Sequence, residues 1–207
     1  MVSLPEDIFQ ETYGKVKKLI VTKKLSPGQL VTEQRLSHTL KISDDSIPIV
    51  LSQLREESLL VGTFESGLTV RELSEQEISE MFDCRIALET MTVKLFTRNA
   101  SQSKIDDLRN LLVPFEKGPQ SLYVFYKIDR YFHEFIAKNC GNRMLFDLFK
   151  SAKITSFMDL VGLSRPLDEI LQEHLNIVSA MHHRDETKAI QTIENHLENS
   201  RKSHLSQ

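Results

Sequence analysis

The chain has 207 residues, 40% of them hydrophobic and 27% charged, with 26 Lys or Arg against 29 Asp or Glu and a formal net charge of −3. This size suits one large or two small globular domains. The mild acidity argues against a general nucleic-acid coat, and no run approaches the roughly 18 apolar residues of a membrane span. The start, Met1-Val-Ser-Leu-Pro, lacks the basic and apolar regions of a signal peptide. Cys84 and Cys140 make no disulfide framework and read as buried free thiols. With only 7 Gly and 6 Pro, the chain is expected to be mostly α-helical and cytoplasmic, with no membrane partner.

A composition shift near residue 72 predicts two domains, 1–72 and 73–207. The first helix runs from about Pro5 to Thr22 on Ile8, Tyr13, Val16, Leu19 and Ile20, and Leu25-Ser-Pro-Gly28 turns the chain. Thr32 is placed to cap a short helix through Leu40. A third helix starts at Ser43 or Ser46 and ends near Ser58, and 59–70 reads as two strands around a turn at Ser66-Gly67. Three helices and a small hairpin make the plan of a winged helix-turn-helix.

From Ser74, which forms a capping box with Glu77, the helical patterns lengthen. They cover about 74–99, 103–117, 122–139 and 143–160, and a final hairpin has Asp185 as the N-cap of its second arm. This predicts an all-α antiparallel bundle of about six helices. The 122–139 segment carries Asp129 and His133 one helical turn apart on one face. In the hairpin, His174 lies eleven residues before Asp185 and His196 eleven after it. Equal distances from an antiparallel turn bring the two level, each roughly 16 Å from it. Three imidazoles and a carboxylate suit zinc or a similar first-row ion such as nickel or manganese. His38, His182, His183 and His204 have no such partners and read as solvated.

Several short motifs together resemble the GntR family of bacterial transcription regulators, in its FadR/VanR-type group with a C-terminal FCD effector domain. They are Leu25-x-Pro27-Gly28, Glu33-x-x-Leu36-Ser, Leu40-x-Ile42-Ser43, Gly67-x-x-Val70, Arg85-x-x-Leu88-Glu89, Asp129-x-x-x-His133, Gly141-Asn142, Glu173-His174 and His196-Leu197. The resemblance implies a homodimer that binds double-stranded operator DNA. It also implies a bundle metal held by Asp129, His133, His174 and His196 that anchors a small carboxylate ligand. Arg85 falls where a basic residue faces the effector, its other reading being a surface pair with Glu89 at i+4. The DNA-facing positions are Glu33, Ser43, Asp44, Ser46, Ser52, Arg55 and Gly67.

Those DNA positions depart from the family pattern Ser-Arg-x-Pro-Val-Arg. Asp44 stands where the first Arg is expected, Pro48 where the second is, and Ser66 replaces the wing Arg. Residues 1–72 hold nine Lys or Arg and ten Asp or Glu, a net of −1, whereas phosphate binding calls for a basic face. Lys15, Lys17, Lys18, Lys23, Lys24, Lys41 and Arg55 are the candidates for one. Two other readings therefore stay open: a metal-binding sensor or scaffold without ordinary operator binding, and a metal-dependent hydrolase. Asp44→Arg removes a repulsive charge and restores a fork worth about 1–3 kcal/mol against guanine. It is expected to tighten duplex binding in a mobility-shift titration at fixed salt. Unchanged or weaker affinity would mean that Asp44 does not face DNA.

Overall fold

The computed structural model describes residues 6–42, 46–118 and 121–206. They form two compact units, one of residues up to 73 together with 156–162, the other of 74–155 with 163 onward. Among the described residues no helix is long and apolar enough to cross a membrane.

The first unit opens with α1 (Glu6–Val21), followed by β1 (Leu30–Val31), α2 (Glu33–Leu40), α3 (Ile47–Glu56), β2 (Leu60–Thr63) and β3 (Gly67–Val70). Thr32 caps α2, its side chain accepting from Arg35 N. α3 begins after Ser46, which puts Pro48 in its first turn, where a missing N–H costs nothing. The sheet has the order β1-β3-β2, all antiparallel; the two-residue β1, with Leu30 opposite Thr69, is a strand too short to carry a readable alternation. Gly62 opposes Leu68 at φ +100, and a Cβ there would collide with the Gly67 carbonyl, so the hairpin needs glycine at that point.

Residues 156–162 belong to the same core, although they lie in the part of the sequence read as helical bundle. Leu160 packs with Val16, Ile20, Leu36, Leu51 and Leu54. Asp159, fully buried, meets Lys17 Nζ at 2.6 Å. Lys17 also donates to the Tyr13 hydroxyl at 2.9 Å, which in turn donates to Glu57 at 2.6 Å. Lys23 donates to the Leu160 carbonyl.

The second unit is built on α4 (Glu75–Asn99), the longest helix, opened by the Ser74–Glu77 capping box. There follow α5 (Gln102–Leu112), a 3-10 turn at Val113–Phe115 imposed by Pro114, α6 (Leu122–Asn139), α7 (Arg143–Ser151), α8 (Ile154–Val161), α9 (Leu167–His182) and α10 (Glu186–Leu205). The stretch expected as one helix over 143–160 is two, because Lys153 takes a left-handed φ of 52° between them. Among the described residues the sequence from 74 onward thus has seven helices where about six were expected, and one of them, α8, lies mostly in the first unit. α4 lies along α10, which pairs with α9, and α6 packs on α4. Ser121 caps α6 through Val124 N, and Gly141, at φ +83, follows it.

Cys140 is buried, but Cys84 is exposed, contrary to expectation. His204 is half-buried with its ring 5.9 Å from that of Phe82, so it is not a solvated histidine. On α4, Ile86 and Leu88 are only half-buried, while Arg85 and Glu89 take the inner face.

Removing one member of a buried ion pair strands the other without water, at a cost of about 3–5 kcal/mol. Lys17→Met is therefore expected to lower the urea unfolding free energy by about that amount, and adding Asp159→Leu to recover most of it. A double variant as unstable as the single one would show that the two charges are not coupled.

Candidate metal centre

Asp129 and His133 project from one face of α6, as their spacing requires, and both are buried. α9 supplies His174 and α10 supplies His196, also buried, their rings 4.8 Å apart between centroids. The hairpin closes where expected, with Asp185 accepting from Lys188 N at the start of α10. One ligand atom from each of the four side chains lies within 4.8 Å of the other three. Asp129 Oδ1 stands 3.4 Å from His174 Nε2 and 3.9 Å from His133 Nε2.

The rings are oriented from outside the cluster. His133 Nδ1 donates to Glu89 Oε2, and Arg85 Nε donates to Glu89 Oε1 at 2.6 Å. His196 Nδ1 donates to Glu173 Oε2 at 2.8 Å. In both cases Nδ1 is occupied and Nε2 is left over, the arrangement by which a carboxylate sets the tautomer of a metal-binding histidine. His174 is held differently, stacked on Phe132 with centroids 4.1 Å apart. Neither of its nitrogens, nor His133 Nε2, finds a hydrogen-bond partner among the described residues. Buried unpaired nitrogens are costly, and a cation would satisfy His133 Nε2 and one nitrogen of His174 at once. Ligand atoms about 2.1 Å from one ion stand at most about 4.2 Å apart, close to the spread observed. The donor set and its geometry fit a divalent metal.

Electrostatics follow the same layout. Burial alone would raise the Glu89 carboxyl, but Arg85 and His133 outweigh it and hold it at about 2. Burial acts likewise on Glu173, and hydrogen bonds from His196, Arg165 and Asn199 bring it to about 2. Burial pushes His174 well below the usual imidazole range, assisted by His196, His133 and Arg85. Burial also lowers His196, against the pull of Glu173. A polar cleft of about 570 Å³ between α9 and α10, lined by Asn176, Lys188, Thr192 and Asn195 among others, reaches Glu173 and His196.

Arg85 is not on the surface: it is 4% exposed, paired with the equally buried Glu89, and its Nη2 has no hydrogen-bond partner among the described residues. The structure places the DNA-facing candidates less uniformly. Glu33 and Arg55 are exposed, with Arg55 over the ring of Phe64 at 5.7 Å, while Ser52 and Gly67 are half-buried. Ser46 is 1% exposed and its hydroxyl lies 3.4 Å from that of Thr12, so it is a core contact and not a DNA contact. Lys17 is lost to the basic face for the reason given above. Ser43 and Asp44 lie outside the described residues. Sequence reading missed Arg165 and Asn199 around Glu173. The Arg165–Glu169–Glu173 spacing of four was a visible signal; the bond to His196, 23 residues on, was not.

The family profile described as FCD domain matches residues 80–199. The HTH-type transcriptional regulator YdhC of Bacillus subtilis (strain 168) is 23% identical over 201 residues, covering 91% of this chain and 87% of that protein. The crystal structure of a GntR transcriptional regulator from Rhodococcus sp. RHA1 matches with a TM-score of 0.75 at 18% identity, over 97% of this chain and 98% of that one. The Zn2+-bound FCD domain of the transcriptional regulator TM0439 matches with a TM-score of 0.55 at 20% identity, over 65% of this chain and 96% of that one.

The depressed histidines fix a pH dependence for the metal-free protein. A group whose folded pKa lies below its unfolded value stabilises above the unfolded value and loses that contribution as pH falls. Stability is therefore expected to decline below about 6.5, where unfolded imidazoles take protons that buried His174 and His196 refuse. A second decline follows below 4.5, where the unfolded carboxyls of Glu89 and Glu173 take protons that the folded ones, held at about 2, resist. Urea unfolding of chelator-treated protein across this range measures it. A flat curve down to pH 5 would contradict the burial of neutral histidines.

Proposed function

The chain belongs to the FCD-domain family as a GntR-type transcription regulator, and on that premise we propose that its second unit senses a small carboxylate through a bound divalent metal. Asp129, His133, His174 and His196 hold the ion in this reading, zinc before nickel or manganese. The observation that carries it is the set of four buried ligand atoms within 4.8 Å, with His133 and His174 nitrogens unsatisfied. A divalent ion held there would act as a Lewis acid toward an effector carboxylate, which it would take up by expanding beyond its four side-chain ligands. Arg85 Nη2, buried and unpaired, offers that carboxylate a charge-assisted hydrogen bond.

In the first unit, α2 and α3 serve as a helix-turn-helix and the β2–β3 hairpin as its wing, with domains 1–72 and 73–207 dividing the work. Double-stranded operator DNA is the partner, in the cytoplasm, bound as a homodimer whose two-fold axis matches a palindrome. Exposed Met144 and Leu148 on α7 and Tyr131 on α6 supply apolar surface for the second copy. Effector binding shifts the balance between dimer geometries. A sensor without ordinary operator binding is favoured by the burial of Ser46 and Lys17, which removes two of the expected contacts. Hydrolysis is disfavoured: the two carboxylates beside the centre, Glu89 and Glu173, are committed to hydrogen bonds and held at about 2, too weak for a general base near neutrality.

Protein purified without a histidine tag is expected to carry one divalent ion per chain by elemental analysis and to sediment at twice 23.9 kDa. It should retard a duplex from its own promoter region. Chelation, or His174→Ala, should remove the ion and lower the melting temperature, because ligand binding is linked to folding. A metal-free wild type whose melting curve ignores chelator would end the metal reading. A loaded dimer that retards no promoter duplex at low salt would favour the sensor instead.

A further inference from the structure

Glu173 lies beside the centre, yet it is not one of the four proposed ligands. Its carboxylate accepts four hydrogen bonds. His196 Nδ1 reaches Oε2 at 2.8 Å and Asn199 Nδ2 reaches Oε1 at 2.8 Å. Arg165 grips both oxygens, Nη1 to Oε2 at 2.7 Å and Nη2 to Oε1 at 2.8 Å. A fork of this kind fixes the plane of a carboxylate as well as its position. The Arg165 side chain is only 11% exposed, unlike an ordinary surface pair.

A bond confined to Arg165, Glu169 and Glu173 would merely secure the start of α9. The donor from α10 changes its meaning. An imidazole can carry its proton on either nitrogen and can turn over; a carboxylate held against Nδ1 keeps the proton there and leaves Nε2 as the lone-pair atom. Glu89 does the same for His133, with Arg85 as its cation. The two carboxylate–arginine pairs thus act on two histidines from different helices.

We propose that Glu173, clamped by Arg165, is a positioning residue of the metal centre that sets the ring orientation and tautomer of His196. The inference rests on the metal reading above. It assigns Arg165, in the connector before α9, a part in metal affinity although it touches no proposed ligand atom.

The test uses the full chain and Zn2+ alone, with affinity read by competition against a chromogenic chelator. Arg165→Met and Glu173→Ala are expected to weaken Zn2+ binding about 10–100-fold, the usual cost of losing an outer partner of a ligand histidine. Glu173→Gln, which can still accept from Nδ1 but cannot pair with Arg165, should fall between, and it serves where Glu173→Ala does not fold. Arg98→Met, which removes an exposed pair with Glu186, should leave affinity unchanged. Imidazole nitrogen shifts of the Zn2+-free protein above neutral pH provide a readout that a merely structural role would not move: His196 should hold its proton on Nδ1 in the wild type and divide between tautomers in Glu173→Ala. Unchanged affinity in Arg165→Met and Glu173→Ala while the wild type loads normally overturns the positioning role and leaves the metal reading intact. A single His196 tautomer in Glu173→Ala overturns it as well, and a wild type that takes up no Zn2+ overturns both.

Discussion

The second unit is organised around the cost of burying ionisable groups. Asp129, His133, His174, His196, Arg85 and Glu89 are all inside it, and an isolated charge in such a place costs several kcal/mol. Each is therefore tied to another from a different turn or a different helix. Arg85 and His133 share Glu89, and Asp129 faces two imidazoles. Those ties also explain why α4, α6, α9 and α10 must keep their rotation. A helix turned by one residue, about 100°, would put a charge against an apolar neighbour. His174 has no hydrogen bond on either nitrogen among the described residues; it stacks on the Phe132 ring and faces Asp129 Oδ1 at 3.4 Å. It is the point at which the polar interior is incomplete without a cation.

The first unit solves a similar problem with fewer groups. Its apolar core is closed by residues that come much later in the chain, 156–162, and the closure carries a buried charge pair. Lys17 lies between Asp159 and the Tyr13–Glu57 pair, and Glu57 is the C-cap of α3. The helix read as DNA-facing is thus linked by hydrogen bonds and ion pairs to a segment from the other half of the sequence. Arg165, the clamp on Glu173, follows three residues after that segment ends.

Charge in the first unit is engaged in its own core and is to that extent withdrawn from the surface proposed to face DNA. Lys17 and Lys23 are both engaged with 159 and 160, and Ser46 closes the core against Thr12. Arg55, stacked over Phe64 beside the β2–β3 turn, keeps its side chain outward. Recognition that relies on such a surface leans on fewer cations than phosphate neutralisation ordinarily uses.

Much of this was legible in the residues. Local rules governed the caps at Thr32, Ser74 and Asp185, the ends of α6 and the i,i+4 placement of Asp129 and His133, since each depends on contacts within one or two turns. The level placement of His174 and His196 followed from counting outward from a hairpin turn, because helical rise is constant. The tertiary structure alone decided the rest. That Glu89 meets His133 44 residues away, that Glu173 meets His196, and that Asp159 meets Lys17 are consequences of packing between distant segments. Burial divided what patterns treated alike. It put Arg85 and Glu89 on the buried face of α4 while Ile86 and Leu88 stay half-buried, Ser46 in the core, and Cys84 on the surface. Periodicity records which residues share a face; it cannot record what that face meets, and here the faces of α4, α6, α9 and α10 meet charge.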